Sequence, residues 1–389
     1  MTTPHTIAVL GLGRMGSAIA ARLGDDHHVV GWTRSGRPPR ARGDAVAKAA
    51  VARDPAEAVA TADVVILALF DGLACEEVLD RIQGSLRPGA VVVNTGTVGP
   101  GEAARLAARL GASYVHAPVL GSVAAAAAGT LQILAAADEG TLDRVRPVLE
   151  RLGTVRPVDG ATLAAALKLV ANSALAGAVV ALRDTLRQAD ALGLSRARTL
   201  DVLALGQLGG LVTRKRAFLD GSPGHAAEFT IGALLKDLDL LAAASGTPLP
   251  AAADLAGSDP AADIAVAATA TAPAVDEAVL APLRAYIRGH ATGDPTHFRT
   301  AFLPTAHIEG MRDGTFVSWP LDDYCALFGG HPAPDEPTRS RRLDAVDVHG
   351  TVATASMTLR HGPDTFTDVF LLVRAADGWR IANKAYHRA

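Results

Sequence analysis

The sequence predicts an α/β unit with a parallel sheet, then an all-helical unit, then an α+β unit. Three observations carry this. Residues 6–10 (TIAVL) form an apolar run that ends in the glycine turn Gly11-Leu12-Gly13-Arg14-Met15-Gly16 and passes into an alanine-rich stretch. Residues 162–192 hold no proline and repeat apolar side chains at helical spacing. Composition then shifts: residues 1–274 contain five aromatics and five His, whereas 275–389 contain eleven and seven. A chain of 389 residues has room for two or three such units.

Taken in order, short apolar runs at 6–10, 28–32, 64–70, 90–94 and 114–117 alternate with alanine-rich segments, as strands alternate with helices over a parallel sheet. A last strand pair is expected at 131–136 and 155–158. The helix over 162–192 presents Leu163, Leu167, Val170, Leu175 and Val179 at helical spacing. Helices over 231–244 and 263–270 flank a turn at 246–251. Residues 271–276 (TAPAVD) read as a linker. Beyond it come an amphipathic helix at 277–287 and strands at 306–309, 342–348, 352–359, 366–374 and 379–384. The predicted domains are 1–159, 160–272 and 275–389.

A chain that is 49% hydrophobic and 20% charged, with net charge −3, is no disordered tail and offers no basic nucleic-acid surface. Cys75 and Cys325 are too few for a disulfide framework or a zinc site, so no metal is expected. The N-terminus lacks the features of a signal peptide, and no uninterrupted membrane span is read. The expectation is a cytoplasmic protein that binds neither membrane nor nucleic acid.

The glycine turn follows a strand and opens a helix, the context in which this spacing holds a dinucleotide. Gly11 permits the turn, Gly13 lets backbone approach a pyrophosphate, and Gly16 lets helix and strand pack closely. Helix N–H groups and the helix dipole then meet the phosphates. The second strand ends in Thr33-Arg34-Ser35, with Arg37 and Arg40 nearby and no acid before Asp44. A site for NAD needs a carboxylate there. A guanidinium beside hydroxyls suits a 2′-phosphate instead, so NADP(H) is the expected cofactor.

Lys168 and Asn172 stand four residues apart and share one helix face. A lysine in the apolar run 164–171 is costly unless it reaches water, an acceptor or a substrate. Such an ammonium can protonate a carbonyl oxygen as hydride arrives at its carbon.

These motifs, in their order, resemble the β-hydroxyacid dehydrogenase family. They are GLGRMG (11–16), TRS (33–35), NTGTVGP (94–100), HAPVLGS (116–122) with GTL (129–131), Lys168 to Asn172, and Phe229 with Lys236-Asp237-Leu238. The resemblance spans residues 5–270 and implies a Rossmann domain followed by a helical dimerisation domain in a homodimer acting on a small-molecule substrate. It implies that Lys168 is the catalytic acid/base and that Asn172 orients substrate. Gly11, Leu12, Gly13, Arg14, Met15, Thr33, Arg34, Ser35, Leu69, Phe70, Thr97 and Lys236 would hold the cofactor, and Leu120, Gly121 and Ser122 would touch substrate. Leu120 stands where the family usually has serine, which implies a less polar substrate. His116 stands where the family commonly has an acid. The expected function is NADPH-dependent hydride transfer to an aldehyde, semialdehyde or ketone. The alternatives are an imine reductase of the same architecture and a non-catalytic NADP-binding sensor.

Residues 275–389 resemble the nuclear-transport-factor-2-like (NTF2-like) superfamily, in its small lumazine-binding-like branch. The matching residues are Tyr286-Ile287-Arg288-Gly289, Gly293-Asp294, Ala301-Phe302, Phe366-Thr367-Asp368 and Gly378-Trp379-Arg380-Ile381 with Lys384. The resemblance implies an α+β cone. Its polar candidates, His307, Glu309, Asp323, Tyr324, His349, Asp368 and Lys384, assemble into no reaction at this stage.

Overall fold

Short apolar runs became strands wherever a helix covers each face of them. A computed structural model describes residues 5–36, 50–221, 226–270, 277–312 and 314–389. The chain divides into two compact units, Met1–Ala270 and Thr271–Ala389. The first opens with β1 (Thr6–Leu10), β2 (His28–Trp32), β3 (Ala50–Val51), β4 (Val64–Leu67), β5 (Val91–Asn94) and β6 (Tyr114–His116). They form a six-stranded sheet in the order β3-β2-β1-β4-β5-β6, all parallel. Its helices are α1 (Arg14–Leu23), α2 (Pro55–Val59), α3 (Gly72–Ile82) and α4 (Pro100–Leu110). Two apolar clusters result: Ile7, Val9, Ile66 and Val93 face one side, while Ala8, Leu10, Val65 and Val92 face the other. This is the doubly wound arrangement of a Rossmann domain.

The chain continues through β7 (Val119–Leu120), α5 (Val123–Ala128), β8 (Leu131–Ala135), α6 (Glu139–Glu150) and β9 (Gly153–Pro157). The expected last strand pair forms, in parallel, but within a separate three-stranded sheet where β7 runs antiparallel to β8. His116 and Ala136 exchange two backbone hydrogen bonds, of 3.0 and 2.8 Å, which join it to β6 and occupy the edge of the main sheet.

The helical part is organised on α7 (Ala161–Ala191), followed by α8 (Arg196–Ala204), α9 (Gly209–Leu219), α10 (Ile231–Ser245), α11 (Pro250–Leu255) and α12 (Ile264–Thr269). The turn expected at 246–251 is shortened because Pro250 opens α11, a position where a missing N–H costs nothing. Along α7 the buried face is narrow and rich in alanine: Ala164, Ala165, Lys168, Leu169, Asn172, Ala176 and Val179. Of the apolar repeat that marked this helix, Leu163, Leu167 and Val170 lie outside, 46%, 42% and 56% exposed. At 31 residues, with mean hydropathy 1.8 in its most apolar window, α7 is long and apolar enough to cross a membrane, with Lys168 and Gly177 interrupting its apolar run. Its inner face, however, packs in the core and carries the site lysine.

The second unit comprises α13 (Glu277–Thr292), α14 (Thr296–Ala301), β10 (His307–Arg312), β11 (Thr315–Pro320), α15 (Leu321–Cys325), β12 (Ser340–His349), β13 (Val352–His361), β14 (Asp364–Ala375) and β15 (Gly378–Arg388). The strands form one sheet, β11-β10-β15-β14-β13-β12, antiparallel except between β10 and β15. α13 runs five residues beyond the expected end, and β11 was not expected at all. Gly289 is tolerated within α13 because Phe298 lies where a Cβ would sit, 2.7 Å away. Tyr286, Phe298, Phe302 and Phe370 fill the core, where the second compositional half keeps its aromatics. This helix-backed sheet has the α+β architecture expected of residues 275–389.

Candidate active site

A cleft of about 930 Å³ opens where the strand order of the Rossmann sheet reverses, beside the ends of β1 and β4. Gly11 adopts φ +105°, and a Cβ there would lie 2.4 Å from the Ala68 carbonyl oxygen. A Cβ on Gly16 would stand 1.9 Å from the Gly11 oxygen. Gly13 differs, since nothing lies within 4 Å of its Cβ position. No side chain caps the N-terminus of α1. Open space over Gly13 and uncapped helix N–H groups fit a pyrophosphate.

Arg14, Met15, Thr33, Arg34, Leu69, Phe70, Thr97 and Lys236 line this cleft with Gly11 and Gly13. Leu12 and Ser35 are not among the lining residues. Leu12 is 1% exposed and packs against β2, where a Cβ on Gly31 would come within 2.7 Å of it. Ser35 is exposed, 3.5 Å from the Thr33 hydroxyl. The Arg34 guanidinium stands 3.4 Å from Glu77, both largely exposed, so this pair holds it weakly. Arg37, Arg40 and Asp44 lie outside the described residues.

The middle of the cleft carries a connected run of charge. Lys168 donates to Asn172 Oδ1 at 3.1 Å, and Asn172 Nδ2 donates to Asp237 Oδ2 at 2.5 Å. Asp237 Oδ1 lies 2.7 Å from the Lys236 ammonium, which donates to the Thr97 carbonyl at 2.9 Å and sits 5.2 Å from the centre of the Phe70 ring. α7 and α10 thereby meet the loop after β5. That loop is fixed in turn, since Asn94 Oδ1 accepts from Gly96 N at 2.9 Å. Lys168 is 8% exposed. Burial pushes its ammonium down to about 8; Asp237 opposes that shift and Lys236 adds to it. Near neutral pH the group holds its proton yet can release it, as a general acid must.

Leu120, Gly121 and Ser122 line the same cleft, with Gly121 at φ +136°. Opposite them α9 contributes Leu211, Arg214 and Lys215. Lys215 is 5% exposed and donates to Glu228 at 3.0 Å and Asp263 at 2.9 Å. The sequence reading missed this cluster and gave Asp237 no role. No local pattern joins residues 215, 228 and 263, whereas the four-residue spacing of Lys168 and Asn172 is visible within one turn. His116 is fully buried and bonded to the Tyr114 hydroxyl at 3.0 Å, and burial pushes its imidazole down to about 4. It is a neutral core residue rather than a cleft residue.

In the second unit, Asp368, Lys384 and Tyr324 are buried close together, with buried Tyr286 and half-buried His290, neither of which was among the polar candidates. Tyr286 donates to Asp368 at 2.5 Å, and Lys384 reaches Asp368 at 2.8 Å and the Tyr286 hydroxyl at 2.6 Å. Tyr324 and His290 are hydrogen-bonded at 2.9 Å. His307, His349 and Asp323 are exposed, and Glu309 is half-buried against Ser318 and Asn383.

The dinucleotide cradle and the lysine across from it define a nicotinamide-dependent oxidoreductase of the β-hydroxyacid dehydrogenase type. Residues 6–165 match the family model described as “NAD binding domain of 6-phosphogluconate dehydrogenase”, and residues 274–387 match “Putative lumazine-binding”. A “Probable 3-hydroxyisobutyrate dehydrogenase” of Mycobacterium tuberculosis is 37% identical over 203 residues, 51% of this chain and 68% of that protein. The solved Mycobacterium tuberculosis 3-hydroxyisobutyrate dehydrogenase with L-serine aligns with TM-score 0.58 at 30% identity, covering 69% of this chain and 99% of that one. A structure described as Psf3 with NADP+ and 2-OPP shares the fold, with TM-score 0.58 at 24% identity over 68% of this chain and 99% of its own. The chain belongs to the 3-hydroxyisobutyrate dehydrogenase family and carries a lumazine-binding-like C-terminal domain.

Proposed function

We propose that the chain is an NADPH-dependent reductase of an aldehyde, ketone or semialdehyde, with Lys168 as proton donor. The observation that carries this reading is a buried lysine in the cleft wall with its acidity raised to near neutrality. The bound nicotinamide supplies the hydride that reaches the carbonyl carbon. Lys168 gives its proton to the carbonyl oxygen, yielding an alcohol, and recovers a proton from solvent. Asn172 takes one hydrogen bond from Lys168 and gives one to Asp237, which orients the ammonium. Replacing Lys168 with Met should lower turnover of a small aldehyde by about 10²–10⁴-fold while NADPH still binds. A near-normal rate would overturn the assignment.

Arg34 in the nucleotide end, with no carboxylate in Thr33-Arg34-Ser35, supports NADPH over NADH. Dissociation constants should favour NADPH, and Arg34→Ala should weaken it by about 1.5–3 kcal/mol while leaving NADH little changed. Equal affinity of the unaltered chain for both cofactors would refute the preference. The exposed stripe Leu163, Leu167 and Val170 supports a homodimer packed along α7, which native mass measures.

A further inference from the structure

We infer that Tyr114 and His116, which line no part of the cleft, are positioning residues for the reaction. Through Asn94 they fix the loop Thr95–Thr97 in the cleft wall, and through that loop the Lys236 ammonium. This rests on the reductase reading of the same cleft. Both side chains stand on the buried strand β6, two residues apart and so on one face of the sheet. Asn94 ends the neighbouring strand β5 and is paired in register with His116.

The direction of each hydrogen bond in this run is set by its neighbour. The Gly96 N–H can only donate, so Asn94 turns its Oδ1 to it at 2.9 Å. That aims the amide Nδ2 at the Tyr114 hydroxyl oxygen, 3.2 Å away. The hydroxyl accepts there, and its own proton goes to His116 Nδ1 at 3.0 Å. His116 is thus neutral with its hydrogen on Nε2, and burial, which pushes the imidazole down to about 4, keeps it so. Nε2 is buried with no partner among the described residues. A buried N–H without an acceptor lowers stability, so the gain from this ring lies at its other nitrogen, the acceptor for Tyr114.

The loop is held at two points. A Cβ on Gly96 would lie 2.9 Å from the Leu69 carbonyl oxygen and 3.1 Å from Asn94 Oδ1, so the backbone is seated closely against both. One residue on, the Thr97 carbonyl accepts from Lys236 at 2.9 Å, and that ammonium lies 2.7 Å from Asp237. Asp237 accepts from Asn172, which accepts from Lys168. One connected run therefore joins the core of β6 to the proton donor. Without an acceptor at 116 the Tyr114 hydroxyl turns away, the Asn94 amide is free to rotate, and the loop loses its inner anchor. A shift of about 1 Å at a reacting centre costs up to about 100-fold in rate.

The test compares His116→Leu, His116→Asn and Tyr114→Phe with the unaltered full chain, using NADPH and a small aldehyde. Titration first counts the NADPH-binding sites, so that kcat is expressed per site. A purely structural role changes the number of sites and leaves kcat per site unmoved. His116→Leu and Tyr114→Phe should each lower kcat per site by about 10- to 100-fold. The NADPH dissociation constant should stay nearly unchanged, because the nucleotide end of the cleft is untouched. His116→Asn should recover much of the rate, since its Oδ1 stands where Nδ1 does and still accepts from Tyr114. An unmoved kcat per site in His116→Leu, or one equally low in His116→Asn, overturns the proposal. Should His116→Leu yield no binding sites, Tyr114→Phe decides in the same way, because it removes one oxygen and keeps the ring. If the unaltered chain reduces no aldehyde, the reductase reading fails, and the emission of bound NADPH, which comes from its nicotinamide, still decides. Emission altered in His116→Leu and restored in His116→Asn supports the positioning role, and identical emission in all of them refutes it.

Discussion

Lys168 and Lys384 are both buried lysines, 8% and 5% exposed, yet their surroundings differ. Lys384 touches its counter-ion Asp368 directly at 2.8 Å, bonds Tyr286 as well, and lies about 5 Å from the Tyr286 ring. Among the described residues Lys168 hydrogen-bonds only the neutral amide oxygen of Asn172, which in turn bonds Asp237. Burial pushes both ammonium groups down. The difference lies in compensation and access. Lys384 is sealed among aromatics, and Lys168 lines a cleft. A charge held without a direct partner beside open space is available for chemistry, and a fully paired one serves the fold.

That contrast is broken most directly by removing each ammonium. Lys384→Met strands the Asp368 carboxylate and should cost about 3–5 kcal/mol of stability. Two of the three tryptophans, Trp319 and Trp379, lie in this unit, so fluorescence during denaturant titration reports it. Adding Asp368→Asn should recover part of the loss. Lys168→Met should not lower stability, because it removes an under-compensated charge. A fall as large as that of Lys384→Met would erase the distinction.

A smaller effect sharpens the comparison. Under the proposed mechanism reduction needs protonated Lys168, so its rate should fall as pH rises through about 8. Asp237 supports the charged form, so Asp237→Asn should lower the Lys168 pKa further and move this limb to lower pH. The pH profile of kcat measures it, and an unmoved limb would mean that Asp237 acts only as a structural partner.

How far the sequence reveals these two lysines follows from distance along the chain. Lys168 stood out because its partner lies one turn away within an alanine-rich run. The partners of Lys384 are 16 and 98 residues away, and their meeting depends on how β14 and β15 register and where α13 packs. The Rossmann strands were legible because each apolar run is bounded by glycine or polar residues. β11, which alternates partly exposed residues at a sheet edge, carries no such signal. Leu12 was misplaced for a related reason. The motif marks the whole glycine turn, but only backbone geometry shows that its leucine turns inward while its neighbours face the cleft.

The three glycines of that turn have one further consequence. Gly11 and Gly16 are required by neighbouring backbone, whereas Gly13 has an ordinary φ of −71° and free space around it. Folding therefore demands glycine at the first and last positions, and ligand approach alone demands it in the middle. In a saturation library sorted once for cellular abundance and once for dinucleotide capture, 11 and 16 should be depleted in both sorts. Alanine at 13 should pass the first and fail the second, which would separate foldability from binding within six consecutive residues.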